Sequence, residues 1–215
     1  MLVRWCDQED NTGWTTTATG EAGEIELQEG SRLVGCMPGN QEHLIWSDTT
    51  LYAMRQTFDD LIWSFPIVGR NCGLLGQNAA AMVGGRAYWM GTNAFFVYDG
   101  GSVTTIPCPL DRDVFDNMAA GQSEKVIAGV NEQFGEVWWF YPDERDGNEN
   151  SRYVLLNTRD GTWSSGRMAR TAWVHSPDLR HPVAVSPDGK LYMHEIGETA
   201  DGGVIGAFCE TGLFD

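Results

Sequence analysis

Four aromatic-rich hairpins recur along this chain at a spacing that few folds accommodate. The first runs His43-Leu44-Ile45-Trp46, turns through Ser47-Asp48-Thr49 and returns as Thr50-Leu51-Tyr52-Ala53-Met54. The second pairs Arg86-Ala87-Tyr88-Trp89-Met90 with a strand from Ala94 to Tyr98. The third pairs Glu136-Val137-Trp138-Trp139-Phe140-Tyr141 with Arg152-Tyr153-Val154-Leu155-Leu156-Asn157 across a polar loop. A weaker fourth runs Pro182-Val183-Ala184-Val185, Ser186-Pro187-Asp188-Gly189, Lys190-Leu191-Tyr192-Met193. With Trp46, Trp89, Trp139 and Val185 taken as equivalent, the steps are 43, 50 and 46 residues. A period in the forties built from hairpins is that of four-stranded propeller blades. The strands are apolar nearly throughout instead of alternating, as a blade pressed between two neighbours requires. The expected fold is therefore all-β and β-propeller-like, with three to four four-stranded blades in a single domain over residues 1–215. Trp46, Trp89, Trp139 and Trp163 are its expected core anchors.

One segment departs from this pattern. Over 111–120, Val114, Phe115, Met118 and Ala119 fall at helical spacing with acids in the first turn, where the helix dipole favours them. Gly121 is the expected stop, and Ser123-Glu124-Lys125 the start of one further turn. Three to four blades are not expected to close a propeller ring, whose usual count is about four to eight. The terminal Gly212-Leu213-Phe214-Asp215 reads as the start of a new strand. The chain is accordingly expected to be part of a larger molecule, or to complete its ring with something else.

Charge narrows the function. Thirty acidic residues against fourteen basic give a net charge of −16, which argues against a surface that clamps nucleic-acid phosphates or anionic lipid. Nine Trp and 42 % hydrophobic residues supply the apolar area of a packed core. The opening residues lack the apolar run of a secretory signal, and no stretch approaches the ~20 apolar residues of a membrane helix. Cys6, Cys36, Cys72, Cys108 and Cys209 are scattered without a CxxC pair, so buried reduced thiols in a reducing cytoplasm are the expectation.

Motifs for nucleophilic, zinc or phosphate chemistry (G-x-S-x-G, H-E-x-x-H, a Walker loop) do not occur. His43, His175, His181 and His194 lack metal-ligand spacing and read as structural or surface residues. Thr158-Arg159-Asp160-Gly161-Thr162-Trp163 is similar to the Asp-box turn of sialidase propellers but one residue short. A structural hairpin with Gly161 at positive φ and Trp163 on the blade is the preferred reading. The loop Asp143-Glu144-Arg145-Asp146-Gly147-Asn148-Glu149-Asn150 is rich in oxygen donors. However, Arg145 stands where calcium needs a ligand and no bidentate Glu follows, so a solvated insertion is expected. The stripes Trp138-Trp139-Phe140-Tyr141 and Phe95-Phe96 read as core in preference to sugar-stacking platforms. No catalytic, cofactor or metal-binding residue is assigned.

Several strings together carry a resemblance. They are Arg4-Trp5-Cys6-Asp7-Gln8-Glu9-Asp10 ending at Trp14, Asn71-Cys72-Gly73-Leu74-Leu75-Gly76, Tyr88-Trp89-Met90-Gly91 with Tyr98-Asp99-Gly100, and Gly135-Glu136-Val137-Trp138-Trp139-Phe140-Tyr141-Pro142. Over about residues 1–175 the chain resembles the tail hub, or packaged-DNA stabilisation, proteins of short-tailed bacteriophages. The resemblance implies a virion tail protein without enzymatic activity, assembled in the bacterial cytoplasm. It also implies a homo-oligomeric ring below the portal and adaptor that lengthens the DNA channel, retains packaged DNA and anchors fibres or a needle. DNA would pass through without sequence-specific binding, past a negative wall. The alternative is a glycan-binding or sialidase-like propeller, which predicts exposed Trp side chains or three converging Arg beside an acidic pair.

Overall fold

The computed structural model describes residues 1–17, 20–57, 62–176, 178–200 and 202–205. The chain opens with a two-stranded antiparallel sheet, β1 (Leu2–Trp5) and β2 (Gly23–Glu26). Blade 1 follows as β3 (Leu33–Pro38), β4 (His43–Ser47) and β5 (Thr50–Gln56). The short β6 (Trp63–Ser64) and β7 (Ile67–Arg70) both pair with β5. Blade 2 is the meander β8 (Ala80–Val83), β9 (Arg86–Met90), β10 (Phe95–Tyr98), β11 (Val103–Ile106). After the helix α1 (Asp111–Asp116) and a 3-10 turn (Ser123–Lys125) comes blade 3. It comprises β12 (Ile127–Asn131), β13 (Glu136–Pro142), β14 (Asn150–Asn157) and β15 (Trp163–Arg167). Blade 4 has three strands among the described residues, β16 (Ala172–Val174), β17 (Val183–Val185) and β18 (Leu191–Met193). A small hairpin of β19 (Thr199–Ala200) and β20 (Gly203–Val204) ends the described chain. The fold is all-β and β-propeller-like, as the hairpin repeat requires. Cys209 and the strand expected at 212–215 lie outside the described residues.

The blades are arranged radially. The first strands β8, β12 and β16 lie side by side, joined by a parallel bridge from Asn78 to Ile127 and by the Ala128 amide donating to the Asn78 carbonyl at 2.7 Å. One cleft of about 400 Å³ is lined by residues of β3, β8, β12 and β16 together, so the first strand of every blade faces a common axis. Much of the blade-to-blade contact is apolar. Leu44, Trp46, Leu51 and Ala53 of blade 1 share a continuous core with Trp89 and Phe96 of blade 2, and this core runs on to Trp139, Tyr141 and Val154 of blade 3. Trp138 and Phe140 on the other face of blade 3 pack against Trp173 of blade 4. Ile45 and Tyr52, on the other face of blade 1, pack under Val3 and Ile25 of the β1–β2 sheet. The middle strands β4, β9 and β13 are thus buried on both faces, which accounts for their non-alternating sequences.

Strand registers correct the repeat in one respect. Trp89 and Trp139 face the preceding blade, but Trp46 faces the following one, where its ring meets Trp89 edge-on at 5.4 Å. The residue of blade 1 that faces backward is Ile45, and in blade 4 it is Ala184, paired with Trp173 and Tyr192. Both are one residue away from the equivalents expected, and a one-residue offset in a strand exchanges faces. The 50-residue step is long because it contains α1. That helix ends at Asp116, earlier than expected: the Ala119 amide donates to the Pro142 carbonyl at 3.0 Å, so β13 captures the backbone that a longer helix would use. Val114 is fully buried and Phe115 packs on Phe95 at 5.3 Å. The crossing from blade 1 to blade 2 holds a position only glycine fits, because a Cβ on Gly73 would lie 1.9 Å from the Asp48 carbonyl oxygen.

Candidate functional site

The residues weighed as functional are distributed over the blades. His43 is exposed beside Trp63, with ring centroids 6.4 Å apart. His175 lies on blade 4's side of the core, Nε2 3.9 Å from a Glu132 carboxylate oxygen, and His181 stands apart on the approach to β17. His194 packs against Trp173 with the rings tilted and their centroids 4.6 Å apart, and accepts from Arg170 Nε at 3.1 Å. Burial first, and the Arg170 charge second, push its pKa down to about 4. Among the described residues no group of three or more His, Cys, Asp or Glu side chains is placed to hold a metal ion. Cys72 and Cys108 are buried thiols pushed up to about 11 by desolvation. Cys36, expected to be buried, is exposed on β3 at the axial cleft, and Cys6 is half-buried.

The donor-rich loop is organised by arginine. Asp143, expected in a solvated insertion, is fully buried and accepts from Arg145 Nε at 2.7 Å and Nη2 at 2.5 Å. Arg152 Nε bridges Asp143 at 3.2 Å and Asp146 at 2.7 Å. Arg145 Nη1 reaches Asp113 of α1 at 2.8 Å, and Arg167 reaches Asp146 at 3.2 Å. Guanidinium groups therefore pair with the Asp143 and Asp146 carboxylates, and the hydrogen bond from Arg145 holds the Asp143 carboxyl below its ordinary range. The Asp160 turn is a hairpin connection. Asp160 Oδ1 accepts from the Thr162 amide at 2.9 Å and hydroxyl at 2.6 Å, and Gly161 has φ +75°. Trp163 donates to the Pro107 carbonyl at 3.0 Å and packs on Phe95 and Trp139.

Several concavities among the described residues have the form of binding sites. One of about 750 Å³ opens between blades 1 and 2. At its base buried Glu42 accepts from Arg55 Nε at 2.7 Å, and Arg55 Nη2 donates to Tyr98 Oη at 2.9 Å. Burial first, and then the hydrogen bond with Glu42, raises the Tyr98 phenol, while the bond to Glu42 raises Arg55 further. The three side chains form a charge-neutral clip from the β3–β4 turn to the end of β10. It can hold blades in register and bind a polar ligand, but it contains no nucleophile activated by a base. The axial cleft is lined by uncharged residues, including Gln77, Asn78 and Thr171. A third cleft, about 460 Å³, is lined by Trp5, Trp14 and Trp63 with Asp7, Gln8, Glu21 and Gln56. The sequence reading missed these clefts. Glu42, Arg55 and Tyr98 are dispersed in sequence and form no motif.

No family model matches the chain, and no curated protein sequence matches it. Among solved structures, a candidate 6-phosphogluconolactonase from Bacteroides uniformis aligns at 11 % identity and a TM-score of 0.49, over 76 % of this chain and 53 % of that one. A streptogramin B lyase aligns at 12 % identity and a TM-score of 0.38, over 77 % of this chain and 55 % of that one. The chain thus spans about half the length of each, and at these identities neither likeness carries an activity across.

Proposed function

We propose that this chain is a structural subunit of the tail of a short-tailed bacteriophage, acting by assembly. In this reading it is a hub or nozzle component that joins a homo-oligomeric ring below the portal and adaptor. The ring extends the DNA channel, retains packaged DNA and anchors fibres or a needle. The observation that carries the reading is where the family-like strings lie. The 71–76 string is the crossing between blades 1 and 2, and Trp89 donates to the Cys72 carbonyl at 2.8 Å within it. The 135–142 string is β13 with its leading turn, the core strand of blade 3. Asp7 in the opening string accepts the Glu21 and Ala22 amides at 2.5 and 2.6 Å and so closes its loop. The residues of these strings are thus largely spent on packing and loop closure, as suits a protein that works by shape. The net charge of −16 suits a conduit that repels the passing duplex. The cleft at the propeller axis, about 400 Å³, is too small to admit a duplex, so in this reading the conduit is formed by the ring of subunits. Negative-stain imaging of the purified protein, with antibody labelling of phage particles, tests the reading. Rings with a central channel and label at the tail are expected; single propellers with unlabelled particles would refute it.

A second reading, glycan recognition, is favoured by the Trp5, Trp14 and Trp63 cleft, where Trp14 is 44 % exposed. Aromatic faces beside carboxylate and amide groups suit a sugar ring. Its test is saturable quenching of Trp fluorescence by soluble glycans, removed by Trp14→Ala. A sialidase reading gains little from the gathering of Arg145, Arg152 and Arg167. All three belong to blade 3, and each is already bound to an aspartate.

A further inference from the structure

The cleft between blades 1 and 2 contains a guanidinium that its neighbours hold in place without engaging it fully. Glu42 and Tyr98 are both buried, whereas the Arg55 side chain is 41 % exposed. Arg55 Nε donates to Glu42 Oε2 at 2.7 Å, and Nη2 donates to Tyr98 Oη at 2.9 Å and to the Gly100 carbonyl at 3.5 Å. Nη1 makes no further hydrogen bond among the described residues. The guanidinium is thus fixed by the β3–β4 turn on one side and by the end of β10 on the other, and it keeps one donor group free in a cleft of about 750 Å³. A charged donor preorganised in this way spares a ligand the cost of ordering it. Asp99 lines the same cleft. Its Oδ1 accepts from the Gly101 and Ser102 amides at 3.0 and 2.9 Å. The carboxylate is therefore held by its own turn, and Oδ2 makes no hydrogen bond among the described residues. Side-chain amides of Asn40, Gln41 and Gln56 complete the polar lining, with Leu44, Met82 and Ala87 as its apolar part.

Charge selects the ligand class. Among the described residues lining the cleft Arg55 alone is basic, and Glu42 already matches its charge. An anion would meet Asp99 and the field of a chain with net charge −16, and a cation would sit against Arg55 itself. A neutral ligand with hydrogen-bonding groups meets neither penalty. The free groups are a donor on Arg55, an acceptor on Asp99, and amides that do both. A hydroxyl also donates and accepts, so adjacent hydroxyls on one ligand satisfy both kinds together. We propose that this cleft binds a neutral polyhydroxylated ligand of mono- or disaccharide size, with Arg55 Nη1 donating to one hydroxyl and Asp99 Oδ2 accepting from another. The cleft volume lies within the roughly 300–1,000 Å³ of small-molecule sites. Among the described residues it shares Gln56 alone with the Trp5–Trp14–Trp63 cleft, and the proposal rests on neither functional reading above.

Proton–nitrogen NMR titration of the whole chain with glucose, galactose and N-acetylglucosamine is the test. For at least one sugar, saturable shifts are expected at the Arg55 Nε–H and at the Gly85 and Gly100 amides, with a dissociation constant on the order of millimolar. Asp99→Asn keeps the Oδ1 acceptor of the turn and turns the Oδ2 acceptor into a donor. It is expected to weaken binding about tenfold, as the loss of one hydrogen bond to a charged acceptor does. Asn40→Trp fills the cleft and is expected to abolish binding with unchanged far-ultraviolet circular dichroism; should the dichroism change, Asp99→Asn decides alone. Trp14→Ala, in the other cleft, is expected to bind as the wild type does. The proposal is overturned if none of the three sugars gives saturable shifts, or if Trp14→Ala removes them. Binding indifferent to Asp99→Asn would overturn it too, as would inorganic phosphate moving the same resonances at lower concentration than any sugar.

Discussion

Replacing Trp89 by alanine tests both the blade assignment and the physics of the joint between blades 1 and 2. The side chain is completely buried, its ring set edge-on to Trp46 at 5.4 Å and stacked on Phe96 at 5.6 Å. Its Nε1 donates to the Cys72 carbonyl at 2.8 Å, in the crossing between the blades. Truncating a buried aromatic costs about 3–5 kcal/mol in lost transfer energy and residual cavity. Leaving the Cys72 carbonyl without its donor adds about 1 kcal/mol. For a chain of this size, the resulting loss of about 4–6 kcal/mol corresponds to a melting temperature lower by roughly 8–24 °C. Trp89→Phe keeps most of the apolar volume and loses the hydrogen bond, so about 1–2 kcal/mol is expected. Urea unfolding followed by circular dichroism, with m unchanged, measures both. A loss below about 1.5 kcal/mol for the alanine variant, or equal losses for both, would show that Trp89 does not join the blades as described.

Asp143→Ala removes a buried carboxylate and leaves Arg145 and Arg152 facing each other. Discounting for the partial exposure of Arg145, a loss of about 2 kcal/mol in urea unfolding is expected. Because arginines already neutralise this loop, millimolar calcium or chelator should leave the wild-type melting temperature unchanged, and a calcium-dependent rise would refute the assignment. His194 gives the fold a pH dependence. Its folded pKa, about 4, lies below the ordinary value of 6.5, so the unfolded chain binds the extra proton between those values. The stabilisation is complete above pH 6.5 and lost as pH falls to 4. Allowing for solvent screening at this half-buried site, about 1–2 kcal/mol is expected. Urea titrations at pH 7 and 4.5 should show this loss diminished in His194→Gln; an identical loss would place it on other groups.

What the sequence determined by itself was the repeat and its strands. Unbroken apolar runs such as 137–141 are stable only between two neighbours, and the turns between strands give antiparallel hairpins, so blades follow from local pattern. Gly161 and Trp163 were legible for the same reason, since a turn is set by its own residues. Which way a side chain faces was settled only in three dimensions. Trp46 and Trp89 occupy the same kind of string, yet Trp46 points forward and Trp89 backward, because the register of each hairpin against its neighbours sets the face and one residue reverses it. The same holds for the polar features. Asp143 looked solvated because its neighbours in sequence are charged, and it is buried because Arg145 folds back and Arg152 crosses from the paired strand β14. The Glu42–Arg55–Tyr98 clip spans two blades, and the Trp5–Trp14–Trp63 cleft joins residues from the N-terminal segment and blade 1. Such sites are made by packing between elements distant in sequence, and no local pattern encodes them.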